Sequence, residues 1–163
     1  MIRKATKEDS LNLAALSIQV WLHTYASDGI RREISSYVMS TYTEQYFNDL
    51  LQSRSHSLLV CIKNNHLIGY IAANLKSRWE ERACGFEIET LYVHEYFQVQ
   101  GVGRRLLLEM ARLHGGTYWL STWVHNEKAI KFYKHLGFVD VGRKYFEFEG
   151  ESHENRVLAF QSG

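Results

Sequence analysis

Proline is missing from this 163-residue chain and cysteine occurs only twice. No stretch approaches the ~18 consecutive apolar residues of a membrane span. Without proline, turns must be marked by Gly, Asn, Asp and Ser. Cys61 and Cys84 make neither a disulfide framework nor a CxxC metal pattern, which predicts ordinary thiols in a reducing compartment and no metal. The polar start MIRKATKEDS lacks the apolar segment of a signal peptide, so a cytoplasmic location is expected. An excess of one charge is lacking too: 19 Lys plus Arg stand against 18 Asp plus Glu. Such a balance offers no overall field for a polyanion, and neither nucleic acid nor membrane is an expected partner. No Gly/Ser linker, charge block or repeat divides the chain. One domain over residues 1–163 is expected, with 45% apolar residues to fill its core.

Periodicity supplies the elements. Ile2 to Ala5 reads as a strand, and Thr6 with Asp9 as an [ST]-x-x-[DE] helix start. Leu11, Ala14, Ala15, Ile18, Leu22 and Tyr25 then recur at helical spacing until Asp28-Gly29. Thr43 to Leu51 reads as a helix, with a weaker helical stretch over Ile34 to Met39. Leu58 to Ile62 and Leu67 to Leu75 flank Asn64-Asn65, a hairpin signature. Strand Phe86–Val93, helix Val102–Leu113, strand Thr117–Trp123, helix Asn126–Leu136 and strands Phe138–Phe148 and His153–Phe160 follow. The expected fold class is α/β, with a mixed sheet of about six to seven strands flanked by about four helices.

The strongest local signal is the strand Phe86–Val93 followed by Gln98, Val99, Gln100, Gly101, Val102, Gly103 and Arg104 at a helix start. Glycine lets the backbone approach a phosphate closely, and the free N–H groups of a helix N-terminus attract an anion. Arg104 and Arg105 can add charge. The spacing is neither GxxxxGK[ST] nor a GxGxxG dinucleotide fingerprint. A second element, Asn126-x-x-Ala129-x-x-Phe132-Tyr133-x-x-x-Gly137-Phe138, lies downstream.

Together these two elements resemble the GCN5-related N-acetyltransferase (GNAT) family, with its Gln/Arg-x-x-Gly-x-Gly/Ala loop after a Leu-x-Val-like segment, here Leu91-Tyr92-Val93. The resemblance covers most of the chain and centres on Phe86 to Phe138. Glu95 departs from it, lying at or next to a position where the family often has proline. The resemblance implies a single GNAT-like domain and acetyl-CoA as cosubstrate. It further implies a pantetheine arm along Leu91, Tyr92 and Val93, a pyrophosphate on residues 98–104, and contact with Asn126. Val93 N–H would polarise the acetyl carbonyl, and Tyr133 would protonate the departing sulfur. Within the family, the stretches Phe86 through Phe97-Gln98 and Trp119 through Tyr133 are similar to bacterial spermidine/spermine N-acetyltransferases.

Acetylating an amine also requires something to take its proton. Glu87 and Glu89 lie two apart and share a face of a regular strand, where either can reach the acceptor amine directly or through water. His23, His94 and His125 are weaker rivals. Trp21, Tyr25, Tyr37, Trp119 and Trp123, with Asp28, Glu87 and Glu89, suit a cationic amine, although the two strand tryptophans serve a core equally well. The function expected is acetyl transfer to the primary amine of a small molecule such as a polyamine, by direct attack in a ternary complex. Alternatives are N-terminal α-amine acetylation of a protein and a non-catalytic CoA-binding sensor module. A homodimer is left open.

Overall fold

A computed structural model describes residues 1–80 and 84–162. Its strands are β1 (Ile2–Lys4), β2 (His56–Lys63), β3 (His66–Asn74), β4 (Phe86–Val93), β5 (Thr117–Trp123), β6 (Val139–Phe148) and β7 (Glu151–Gln161). Its helices are α1 (Ser10–Tyr25), α2 (Arg32–Thr41), α3 (Glu44–Gln52), α4 (Val102–His114) and α5 (Glu127–His135). The weak helical stretch at Ile34–Met39 is the body of α2. One sheet runs in the order β1-β2-β3-β4-β5-β7-β6, antiparallel except where β4 meets β5. Among the described residues, no helix is long and apolar enough to cross a membrane.

The local signals act as their chemistry requires. Thr6 N–H donates to Asp9 Oδ2 at 2.8 Å, closing the predicted helix start through a short 3₁₀ turn at Lys7–Asp9. Asn64 and Asn65 take φ of 49° and 63°, the left-handed pair that a tight hairpin turn needs. The apolar runs of β2 and β3 are buried on both faces. Leu58, Val60, Tyr70 and Ala72 pack under α1 and α3, while Leu59, Cys61, Ile71 and Ala73 pack with Leu106, Leu107 and Met110 of α4. Each Leu, Ile, Val or Met side chain among them, fully removed from water, contributes about 1.5–3 kcal/mol. The sheet thus has an α1 face and an α4 face, both apolar at the centre.

Strand β4 is not the regular strand its sequence implies. Ala72 pairs with Thr90 and Ala73 with Ile88, so Glu89 is the extra residue of a bulge. Alternation therefore changes phase: Phe86, Ile88, Leu91 and Val93 all join the α4-face core, whereas Tyr92 joins the α1-face core. Glu87 pairs with Asn74, whose amide in turn reaches Glu89, so the two carboxylates still lie on one side.

Pairing between β4 and β5 is confined to Phe86–Tyr118 and Glu87–Trp119. Past those two rungs β5 continues beside β7 while β4 runs free on that side. The start of the pair is set by Gly85 (φ 75°), where a Cβ would overlap the Thr117 carbonyl. Gly85→Ala is therefore expected to cost at least ~2 kcal/mol in denaturant unfolding, far more than Gly115→Ala. Gly115 also has positive φ, but a Cβ there meets nothing within 4 Å. Equal losses at the two positions would show that left-handed strain alone, rather than the β4–β5 closure, governs both.

Candidate active site

His94 N–H donates to Ile68 O at 2.9 Å, which fixes the phase of the β4 backbone. Alternation then turns the amide groups of Tyr92 toward β3 and those of Leu91 and Val93 toward the gap beside β5. Of the predicted Leu91-Tyr92-Val93 segment, only the outer two thus present backbone to the gap. Tyr92 instead places its hydroxyl 3.4 Å from that of Tyr42 on the α1 face. The Val93 carbonyl is already satisfied by Gln98 Nε2 at 3.0 Å, and Gln98 Oε1 accepts from Lys128 Nζ at 2.8 Å. Gln98 is a tie between β4 and α5, and Val93 N–H is left facing the gap.

The glycine loop forms an anion cradle. Val99 (φ 63°) and Gly101 (φ 81°) are both left-handed, and Val99 is fully outside the core at 93% exposure. A β-branched residue in that region is strained, which makes Val99 the position where the loop holds a conformation its side chain opposes. Arg105 N–H donates to Gly101 O, the first hydrogen bond of α4, so the amides of Gly101, Val102, Gly103 and Arg104 keep free donors. Open space surrounds the Cβ position of Gly101. Gly103, besides its free amide, meets a packing constraint: a Cβ there would lie 3.1 Å from Phe132 Cζ, so the absent side chain lets α4 sit close on α5. Val102 fills the core, Gln100 Nε2 donates to Tyr96 O, and Arg104 and Arg105 are exposed without ion pairs among the described residues. Free amides, open ground and two exposed guanidinium groups fit a pyrophosphate.

Each residue of the downstream element has a mechanical reason. Asn126 Oδ1 accepts from Ala129 N–H at 3.3 Å, capping α5. Gly137 (φ 105°) ends the helix, with Gly137 N–H on Lys134 O and Phe138 N–H on Tyr133 O. That is a Schellman closure, and its apolar contact is the Tyr133–Phe138 ring pair at 5.2 Å. Tyr133 is thereby pinned through its backbone and its ring together. Burial, with Tyr25 as a lesser cause, pushes its phenol well above the usual ~10. It remains a proton donor throughout the neutral and mildly alkaline range.

Trp21, Tyr25, Tyr37 and Trp123 converge as the sequence suggests, with ring centroids 4.7–5.3 Å apart. Phe148 joins them, 5.3 Å from Tyr37, and His153 lies beyond it at 6.4 Å. Neither was legible in sequence, because the β6–β7 hairpin reaches α1 and α2 only through tertiary folding. Arg31 Nη2 to Glu149 Oε2, at 2.6 Å, ties the same hairpin down. Trp119 stands apart from this group, buried beside Trp79, and Asp28 is an exposed loop residue. His23 pairs with Glu95 at 3.0 Å, His94 Nδ1 accepts from Tyr96 N–H, and His125 packs on Trp123. Glu89 accepts from Asn74 Nδ2 at 3.0 Å and faces His56 Nε2 at 3.3 Å.

A strand opened on one edge, free helix-terminal amides at one end of the opening and a buried phenol fit an acyl-CoA-dependent transferase. Comparison with known proteins agrees. The Acetyltransferase (GNAT) family profile matches residues 21–138. N-alpha-acetyltransferase RimI of Mycobacterium tuberculosis is 30% identical over 107 residues, which span 64% of this chain and 66% of that protein. An uncharacterised N-acetyltransferase from the pepI 3′ region of Lactobacillus delbrueckii subsp. lactis is 23% identical over 152 residues, 89% of this chain and 87% of the relative. The crystal structure of the PaiA N-acetyltransferase of Thermoplasma acidophilum with coenzyme A superposes with a TM-score of 0.77, at 22% identity, covering 99% of this chain and 98% of that one. The chain belongs to the GNAT acetyltransferase family. It is accordingly an N-acetyltransferase, and the sensor reading is set aside.

The cap at Asn126 generates a test of its second expected role. Asn126→Ala is expected to cost ~1 kcal/mol of stability, and Asn126→Ser to restore both stability and acetyl-CoA affinity in calorimetry. Wild-type stability with weakened binding in Asn126→Ser would assign the amide to the cofactor itself.

Proposed function

We propose that this enzyme moves the acetyl group of acetyl-CoA to the primary amine of a small cationic acceptor, by direct attack within one ternary complex. The observation that carries the proposal is the two-sidedness of the β4 gap. Val93 N–H points into it, Tyr133 of α5 is buried in the α4-face core, and the aromatic group of Trp21, Tyr25, Tyr37 and Trp123 stands on the α1 face. Acetyl-CoA supplies the activated thioester. The free amides at Gly101–Arg104 hold its pyrophosphate, and the Leu91 and Val93 backbone pairs with its pantetheine arm as an extra strand would. Val93 N–H then donates to the acetyl oxygen as negative charge builds there. Tyr133 delivers its proton to the departing sulfur, and a carboxylate of the Glu87/Glu89 pair removes the proton of the amine. The rings stabilise a cation through their negative faces. A polyamine is one acceptor of this kind.

A second reading, acetylation of a polypeptide's α-amine, is favoured by the similarity to N-alpha-acetyltransferase RimI. Coenzyme A release against matched panels of polyamines, alkyl amines and N-terminal peptides separates the two. Turnover with diamines and none with peptides is the result expected. The reverse would replace the first reading by the second.

Tyr133→Phe tests the acid. The ring contacts stay and the hydroxyl goes, so acetyl-CoA affinity should hold while kcat falls ~10²-fold at neutral pH. Since the thiol's own pKa is ~8.5, the deficit should narrow as pH rises from 7 to 9.5. Unchanged kcat with weakened cofactor binding would make Tyr133 a packing residue.

A further inference from the structure

We infer that the outer edge of β6 is a docking surface for a second copy of this chain, which adds its own β6 antiparallel about a two-fold axis at Tyr145.

Strand β6 ends the sheet, with β7 on one side and no strand on the other among the described residues. Arg143, Lys144, Tyr145, Phe146 and Glu147 are all exposed, Tyr145 by 56% and Phe146 by 40%. Neighbouring residues of a strand point to opposite faces, so the helix layers stop short of this stretch on both sides. A long bare edge carrying aromatic side chains is a template for another strand, whereas edges are commonly protected by being short. The opposite edge of the sheet, β1, has only three residues.

One hydrogen bond fixes which backbone groups β6 offers. Val124 N–H donates to Glu154 O at 3.0 Å, so the backbone of Glu154 turns to the β5 side of β7. Tyr145, which stands opposite Glu154, therefore belongs to a non-hydrogen-bonded pair and turns its own N–H and C=O outward. The register is unbroken from Gly142 to Phe148, so Arg143 and Glu147 turn outward with it.

In a further antiparallel pair these outward residues meet outward residues, and charge then selects the register. A two-fold axis at Arg143 or Lys144 sets identical cations opposite each other, and like charges directly opposite repel. An axis at Phe146 sets Arg143 against Glu149, a turn residue already held by Arg31 at 2.6 Å. An axis at Tyr145 sets Arg143 against Glu147 of the second copy, Glu147 against its Arg143, and Tyr145 against Tyr145. Opposite charges and aromatic pairs are the favourable cross-strand combinations. Within its own chain Arg143 reaches Glu154 at 3.9 Å with its side chain 62% exposed, which leaves it open to a second carboxylate. Lys144 meets the exposed ring of Phe146 on the other face. Backbone phase and charge pattern thus agree on one self-complementary register. Such a contact is isologous and closes on itself, so it yields a dimer and not a fibre. A contact this short sits at the low end of specific interfaces, and the dimer should dissociate on dilution.

The experiment is sedimentation equilibrium of the full chain over roughly 1–200 µM, a range that spans weak specific association, with thermal unfolding to show that each variant folds. The wild type should pass from monomer to dimer. Arg143→Glu and Glu147→Arg each place like charges at both ends of the strand pair, and each should raise the dissociation constant at least ~10-fold. The two variants mixed in equal amounts should associate as the wild type does, because every reversed residue then faces an opposite charge, and the doubly reversed chain should do the same alone. If Arg143→Glu loses stability through its contact with Glu154, Glu147→Arg leaves that contact in place and carries the test. A wild type that stays monomeric throughout would overturn the inference, as would a dimer indifferent to both reversals. Single variants that fail to associate, with no recovery in the mixture or in the double variant, would overturn the register at Tyr145.

Discussion

Two rungs of parallel pairing, Phe86–Tyr118 and Glu87–Trp119, and their abrupt end are the constraint on which the site depends. A sheet interior normally leaves no backbone donor or acceptor unpaired. Here the fold keeps β4 in place with β3 on one edge and leaves the other edge open at Leu91 and Val93. An extended amide-bearing ligand satisfies those groups as a neighbouring strand would. On the proposed reading, substrate binding and completion of the sheet are one event, and the cofactor's register is set by the same alternation that sets the strand's.

Helix ends aim the remaining groups. The amino end of α4 opens toward the gap because Gly101 adopts a left-handed cap and Gly103 lets Phe132 of α5 come close. Tyr133 stands where it does because Asn126 starts α5 and the Gly137–Phe138 closure ends it. Burial then keeps the phenol protonated. Packing and a phenol that keeps its proton are two consequences of one placement.

Much of this was legible from local pattern. The strand–loop–helix at Phe86–His114 and the helix carrying Tyr133 follow from short-range chemistry, in which caps, left-handed turns and apolar spacing are all encoded within a few residues. What escaped the sequence depends on register and on distant contacts. The bulge at Glu89 arises from how β4 meets β3, and strict alternation misplaces Leu91 and Val93 on the Glu87 side. Phe148 and His153 join the aromatic group only because the β6–β7 hairpin folds back on α1 and α2. His56 opens a strand with no motif around it, and it meets Glu89, far along the chain, only in the fold. Within the Leu91-Tyr92-Val93 segment the backbone of Tyr92 turns to β3, a distinction decided by one hydrogen bond, His94 N–H to Ile68 O.

The central claim is that the open edge of β4 receives the cofactor. Residue-resolved amide exchange tests it directly, with and without saturating acetyl-CoA. The account predicts that the Leu91 and Val93 amides exchange readily in the free protein and become strongly protected on binding, while Tyr92, already paired to β3, changes little. Protection of Leu91 and Val93 before acetyl-CoA is added, or none gained after it, would contradict the account.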